Sequence, residues 1–424
     1  MSGARVDARM WWARPGLDVR DGRLFIAGRD AESIARERGT PVYVHDLVRI
    51  GEQARALHAA LSAAGLDGRV RLALKAQHEP EVLRFVRALA DVGPRIVEMD
   101  VCSPGEIDRA MEQGWREDEI SYTGTNLSER DLDAILAHPA VHLNVDLITQ
   151  IERVGRRAPG RTIGLRVNPR MGAGSMDAGS TLYSGPRPTK FGIFREQLED
   201  ALRAARRHDL TVDTVHCHVG DGYLNDRLPD LTEAVRRVAE MVRMLQGEGC
   251  PIAEVNTGGG LGVPQRPEDR PLDLGRWAAI LAEHLGPLGV AVGTEPGDFL
   301  VKECAVHLAE VVTIEERDGR LFVGLDVGWN AMGERFIYRS VLDLVLCRAA
   351  DAPPVRDVTI SGHINEGDDL FAEDLPFPEV AEGDIVAALN VGSYNASMSS
   401  EHCLRPASGA VFFRDRAMLG GDAR

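Results

Sequence analysis
VRLALKAQHEPEVLRFVRALADVGPRIVEMDVCSPGEIDRAMEQG, residues 70–114, carries the repeating unit of this chain twice. VRLALK (70–75) and IVEMDV (96–101) are short apolar runs of strand length. The segments that follow them, PEVLRFVRALADVG and PGEIDRAMEQG, repeat apolar residues at three- and four-residue spacing. That spacing marks helices with one buried face. Six more runs extend the alternation: EISYTG (119–124), VHLNVD (141–146), TIGLRVN (162–168), DTVHCHV (213–219), IAEVNT (252–257) and GVAVGT (289–294). Strand–helix alternation repeated eight times predicts an α/β fold, a (β/α)8 barrel. A doubly wound sheet shows the same alternation, so the count leaves both architectures open.

The pattern changes near residue 300. AVHLAEVVTI, RLFVGLDV, VRDVTIS and DIVAALNV are strand-like and separated by Gly, Pro and Asp turns. They predict a β-rich C-terminal domain. GRLFIAG (22–28) and TPVYVHD (40–46) also read as strands and are expected to complete it. The expected division is 1–45 for the N-terminal strands, 46–299 for the barrel and 300–424 for the β-rich domain. MGAGSMDAGSTLYSGPRP (171–188) is Gly/Ser-rich and without periodicity. A loop of that length reads as a lid or a disordered segment.

Composition narrows the function. The 424 residues carry a formal net charge of −16, a poor basis for holding a polyanion, so no nucleic-acid partner is expected. No apolar stretch approaches the ~20 residues of a membrane span, and the N-terminus lacks an apolar signal core. Six cysteines without a CxxC pair suit free thiols in a reducing cytoplasm. Lysine occurs three times, at 75, 190 and 302, among 49 basic residues. If lysine chemistry is used, the candidates are therefore few.

In a parallel barrel the chemistry gathers at the carboxyl ends of the strands. Those ends carry Lys75, Asp100, Thr123 with Asn126, Asp146, Asn168, His218, Gly258-Gly259-Gly260 and Glu295. Lys75 ends an apolar strand, where desolvation lowers an amine's pKa and suits Schiff-base chemistry. Unobstructed glycine N–H groups are able to cradle a phosphate. A carboxylate at Glu295 suits a pyridine nitrogen. Each residue also has a plain reading: a snorkelling lysine, a tight turn, a solvated turn glutamate. His216 and His218 share a strand face. No acidic or histidine partner lies at metal-ligand spacing from them, so no metal is expected. The absence of GxGxxG and GxxxxGK[ST] argues against dinucleotide and nucleoside-triphosphate folds.

Taken in order, these motifs resemble the fold-type III pyridoxal-phosphate decarboxylases, the group of diaminopimelate, ornithine and arginine/lysine decarboxylases. The resemblance runs from GTPVYVHD at 39–46 to SMSSEHCLRP at 397–406. It implies that Lys75 in ALKA is the Schiff-base lysine and that Asp100 and Glu106 stand in DVCSPGE. It places His218 of HCHVGDG against the cofactor ring, Glu295 of EPGD at the pyridine nitrogen, and Gly258, Gly259 and Gly260 of NTGGGLG at the phosphate with Tyr394. It implies a homodimer with shared sites, in which GHINEGDDLF (362–371) serves the partner. In that reading Asn365 occupies the catalytic position of the family's cysteine, and Glu366 and Asp369 bind a distal ammonium group of the substrate. Arg335 and Tyr338 of GERFIYRS are the further substrate contacts.

Three positions depart from the family pattern. Asp221 stands where the family has serine, Asp298 where it has arginine, and Asn365 where it has a cysteine implicated in protonating the product carbanion. Asparagine is no general acid, and two added acids would repel a phosphate unless turned away or matched with a cation. The expected activity is decarboxylation of a diaminopimelate-like or basic amino acid with pyridoxal 5'-phosphate. The alternatives are a pyridoxal-phosphate racemase or epimerase and a catalytically inactive regulatory relative.

Overall fold
The computed structural model describes residues 10–91, 97–174 and 183–416. The middle of the Gly/Ser-rich stretch, 175–182, therefore lies outside the described residues. Two compact units form, one of residues 51–263 and 270–300, the other of 1–50, 264–269 and 301–424. Among the described residues no helix is long and apolar enough to cross a membrane.

The first unit is the barrel. Its strands are β1 (Gly68–Ala73), β2 (Glu98–Val101), β3 (Ile120–Thr123), β4 (His142–Val145), β5 (Thr162–Asn168), β6 (Thr211–His216), β7 (Glu254–Asn256) and β8 (Ala291–Thr294). Each pairs in parallel with the next, and β8 pairs with β1 to close the ring. Closure decides between the two architectures that the alternation left open.

Side-chain alternation sorts the strands into two faces. Leu72, Met99, Tyr122, Leu143, Leu165, Val215, Val255 and Val292 are buried and share one parity. The other parity is polar and points into the barrel, where its members meet one another. Arg71 pairs with Glu254 at 2.5 Å and with Glu98 at 3.1 Å. Asn144 donates to Ser121 and Thr123, at 3.0 Å each. Gly293 leaves room for Arg71, since a Cβ there would lie 2.7 Å from its guanidinium nitrogen. A barrel interior is commonly filled by branched apolar side chains; here its axis carries an ion-pair network.

The turns after the strands have local causes. Ser103 caps helix Pro104–Glu112 by accepting from the Glu106 N–H, with proline at the first helical position. The Glu106 carboxylate reaches back to the Cys102 N–H at 2.6 Å, a variant of the capping box. Much of DVCSPGE is thus a strand end joined to a capped helix.

The second unit centres on the long strand Ala305–Arg317. It pairs antiparallel with Arg320–Leu325, Ile385–Ala388 and Val42–Asp46. Val42–Asp46 also pairs with Gly409–Phe413, so an N-terminal strand does complete this sheet. Arg23–Ile26 instead belongs to a small three-stranded sheet, although Leu24 and Ile26 share the core with Val44, Val306 and Leu308. The four expected C-terminal runs are strands. Leu344–Leu346, Leu370–Phe377 and Gly409–Phe413 are further strands; LFAEDLPF hides the longest of them by breaking apolar alternation with acids and a proline. Lys302, 2% exposed, is ion-paired with Glu334, which also accepts from the Asn395 amide at 3.0 Å.

His45 and His307 are buried in this unit. Burial pushes their imidazoles down to about 4 and about 3 respectively. A base depressed in the folded state contributes stability that is complete above its ordinary pKa and lost as pH falls toward the folded value. The loss for His307 therefore spans roughly pH 6.5 to 3. We expect urea unfolding to lose about 2 kcal/mol less between pH 7 and pH 4.5 in His307→Gln than in the unsubstituted protein. Equal losses in the two proteins would contradict this assignment.

Candidate active site
The carboxyl ends of the barrel strands gather the ionisable groups. Lys75 lies in the turn Leu74–Ala76 directly after β1 and is exposed in the barrel mouth. The protein around it works against its charge, but Asp100 foremost, then Cys102, Tyr183 and Asp221, favour the ammonium form. The balance raises its pKa above the ordinary lysine value. This reverses the expected direction: the carboxylates outweigh desolvation. Asp100, at the end of β2, is buried, and its Oδ1 has no hydrogen-bond partner among the described residues. Burial, then repulsion from Glu295, pushes its carboxyl well above the usual range, against the pull of Lys75.

Glu295 follows β8 and is 6% exposed. Its Oε2 lies 2.9 Å from His216 Nε2, and its Oε1 accepts from Asn256 Nδ2 at 2.5 Å. Burial alone would raise this acid. The facing His216 and the hydrogen bond to it, the Arg71 charge and the Asn256 amide overcome that and hold it at about 2.

Gly258, Gly259 and Gly260 pass between the ends of β6 and β8 with no space for side chains. A Cβ on Gly258 would lie 2.4 Å from Cys217 O, one on Gly259 2.4 Å from Glu295 O, and one on Gly260 1.9 Å from Gly220 O. Gly258 and Gly260 also have φ of +70° and +95°. The Gly258 N–H is held by Asn256 Oδ1 at 3.0 Å. Among the described residues the N–H groups of Gly259 and Gly260 meet no acceptor. Two bare donors on a loop that admits no side chain fit a phosphate.

His218 Nε2 lies 3.2 Å from Asp221 Oδ1, and Tyr183 meets the His218 ring edge-on at 4.6 Å. Asp221, a departure from the family pattern, is thus matched with an imidazole. Burial opposes its charge, but the His218 hydrogen bond and the Lys75 charge bring its pKa below the ordinary value. Asp298 begins the short helix Asp298–Val301 and is half-buried.

Lys75, Asp100, His218, Gly258–Gly260 and Glu295 therefore all lie at one end of the barrel. Arg335, Tyr338, Asn365, Glu366, Asp369 and Tyr394 belong to the β-rich unit. Tyr338 and Tyr394 meet edge-on at 5.9 Å, with Arg335 on the same helix, Gly333–Tyr338. Asn365 and Glu366 are exposed, Glu366 lying 3.3 Å from His402 Nε2. Asp369 is 2% exposed and accepts from the Trp329 and Ile364 N–H groups at 2.8 and 2.7 Å. Its oxygens thus tie its own loop to the segment that carries Trp329.

Three more polar residues line the barrel interior: Arg166 and Asn256, which the sequence does not single out, and His216, which it marks only through a strand face shared with His218. Arg166 on β5 is buried, with its guanidinium 4.3 Å over the Phe191 ring, and burial lowers its pKa. His216 and Asn256 hold Glu295. Their signal is strand parity: 166 has the parity of Asn168, 216 that of His218, and 256 that of Glu254. Among the described residues no group of three or more His, Cys, Asp or Glu is placed to hold a metal.

Residues 47–302 match the model of the pyridoxal-binding domain of pyridoxal-dependent decarboxylases. The chain is 34% identical to a diaminopimelate decarboxylase of Methanothermobacter thermautotrophicus, over 95% of this chain and 93% of that one. It is 31% identical to the Streptomyces coelicolor diaminopimelate decarboxylase over 90% of this chain and 86% of that one. The solved diaminopimelate decarboxylase of M. jannaschii in co-complex with L-lysine superposes with a TM-score of 0.81 at 26% identity, covering 94% of this chain and 92% of that one.

Proposed function
The chain belongs to the pyridoxal-dependent decarboxylase family, and from that premise we propose that it removes the α-carboxylate of a diaminopimelate-like or basic amino acid at Lys75. It is a pyridoxal-phosphate-dependent carbon–carbon lyase acting on an amino acid. The observation carrying the site assignment is the shared position of Lys75, Asp100, Glu295 and the glycine loop at the carboxyl end of one closed barrel.

Pyridoxal phosphate, when bound, supplies an electron sink for the pair released as CO2 leaves. Lys75 would hold it covalently, Gly259 and Gly260 would donate to its phosphate, Glu295 would face its ring nitrogen, and His218 would lie against its ring. Each of these residues has a task that its surroundings support. Glu295 stays ionised against burial, so a fixed negative charge waits where a positive one must be kept. Desolvation opposes the charge of a free Lys75 amine, but the acidic groups around it, Asp100 foremost and Asp221 among them, favour its protonated form, which suits that amine to returning protons. Asn365 cannot donate a proton, so this task falls to another group or to water.

The relatives named above support diaminopimelate as a starting point for the substrate. Asp298, in the place of the family's arginine, argues against a free distal carboxylate held in that way and favours a basic side chain. The resemblance further supports a cytoplasmic homodimer in which Glu366 serves the partner's site. The test measures CO2 from meso-diaminopimelate, L-lysine, L-ornithine and L-arginine with the protein loaded with pyridoxal phosphate. We expect CO2 from at least one of them, with a basic amino acid preferred over diaminopimelate. Inversion of the α-carbon without CO2 would replace this reading with a racemase.

A further inference from the structure
We propose that His216 is a positioning residue: its Nε2–H fixes the direction of the Glu295 carboxylate, and Asn256 ties that carboxylate to the glycine loop. This rests on the reading of Glu295 as the group facing the cofactor's ring nitrogen.

His216 ends β6 and is 1% exposed. Its Nε2 lies 2.9 Å from Glu295 Oε2. An ionised carboxylate only accepts, so the hydrogen in this contact belongs to Nε2. The other ring nitrogen, Nδ1, is buried with no hydrogen-bond partner among the described residues. An apolar side chain would fill this place without leaving a polar atom unmet, so packing alone does not account for the imidazole. Among the described residues the ring's one hydrogen bond is to the carboxylate.

Asn256 completes the arrangement. Its Nδ2 donates to Glu295 Oε1 at 2.5 Å and its Oδ1 accepts from the Gly258 N–H at 3.0 Å. Those two bonds settle which end of the amide is which. The Glu295 N–H donates to Gly258 O at 2.8 Å, so backbone as well as side chain joins the two strand ends. The carboxylate and the bare N–H groups of the phosphate loop are held in one frame. Arg71 is committed to Glu254 and Glu98, so among the described residues the side chains hydrogen-bonded to the Glu295 carboxylate are His216 and Asn256.

The experiment compares His216→Leu, His216→Gln and Glu295→Gln as holoenzymes. It records the absorbance of bound pyridoxal phosphate across pH, together with kcat and KM. We expect His216→Leu to shift the pH midpoint of the cofactor band and lower kcat about 100-fold, the order for disturbing a preorganised charge. KM should stay within about threefold. His216→Gln keeps an N–H donor and is expected to recover most of both. An unaltered band in His216→Leu, or a glutamine variant no better than leucine, overturns the proposal. If Glu295→Gln also leaves the band unaltered, the reading of Glu295 itself fails; if only that variant alters it, the His216 proposal alone fails. Should His216→Leu not fold, 15N-histidine spectra of the unsubstituted holoenzyme decide, with His216 assigned by its loss in the glutamine variant. A protonated Nε2 is expected, and a bare Nε2 overturns the proposal.

Discussion

Lys75→Ala is expected to lower CO2 release by about 1,000-fold or more, the order seen when a group at the reacting bond is removed. Lys75 ends β1, and Asp100, Cys102, Tyr183 and Asp221 act on its charge. Neither of the other two lysines occupies such a position. Lys302 is buried against Glu334, and Lys190 is exposed with its amine 4.9 Å from the Phe191 ring centre. Borohydride reduction of the holoprotein followed by peptide mapping should place the cofactor on Lys75 and find none in the alanine variant. An adduct on Lys190 or Lys302 would sink the assignment. The same variant tests assembly. Glu366 is exposed, so Glu366→Ala leaves the barrel's own residues intact. Mixed with Lys75→Ala under conditions of subunit exchange, it should restore part of the activity through hybrid sites. No recovery would remove the shared-site reading while leaving the Lys75 result standing.

Gly260→Ala carries the second large effect. A Cβ at this position would lie 1.9 Å from Gly220 O, against backbone that carries the His218–Asp221 turn, and 2.9 Å from a ring carbon of Tyr223. The φ of +95° adds strain for any residue with a side chain. Neither loop can yield without moving the N–H groups assigned to the phosphate. We expect a stability loss of about 2–4 kcal/mol from overpacking and strain. Pyridoxal-phosphate affinity, followed by absorbance titration, should weaken by about 100-fold, as for a site displaced from its productive geometry. Gly247→Ala is the control. It ends helix Leu228–Gly247, and a Cβ there meets nothing within 4 Å. Its stability should change by no more than about 1 kcal/mol. If both substitutions are equally mild, the glycine loop is not the close-packed cradle described here.

The eight barrel strands were legible because each is a short apolar run bounded by turn residues, and most are followed by an amphipathic helix. The site was legible where position on a strand is enough to define it. Lys75, Asp100 and Glu295 lie at strand ends, and the barrel brings such ends together. Contacts between distant strands were not legible. His216 and Glu295 are 79 residues apart, and nothing local in either segment names the other. Arg166 sits within TIGLRVN and reads as one polar residue of a strand until closure places its parity inside the ring. Asp369 is a further case: its motif suggests a residue offered to a ligand, and only the fold shows that the Trp329 and Ile364 N–H groups, from two separate segments, meet its oxygens. Asp221 was read as a charge that would repel a phosphate. The i,i+3 spacing to His218 supplies the partner, and only the turn geometry shows that the two side chains meet.

The burial of Lys302 has a practical consequence. With three lysines in the chain and one of them enclosed against Glu334, Lys75 and Lys190 are the lysine amines open to solvent in the described residues. An amine-directed label added in limited amount then becomes an occupancy gauge. Peptides bearing Lys190 should take up label whether or not the cofactor is loaded, and peptides bearing Lys75 only when it is absent, at a slower rate because its raised pKa leaves less free amine. The ratio of the two is an internally calibrated measure of vacant sites, obtained without a substrate.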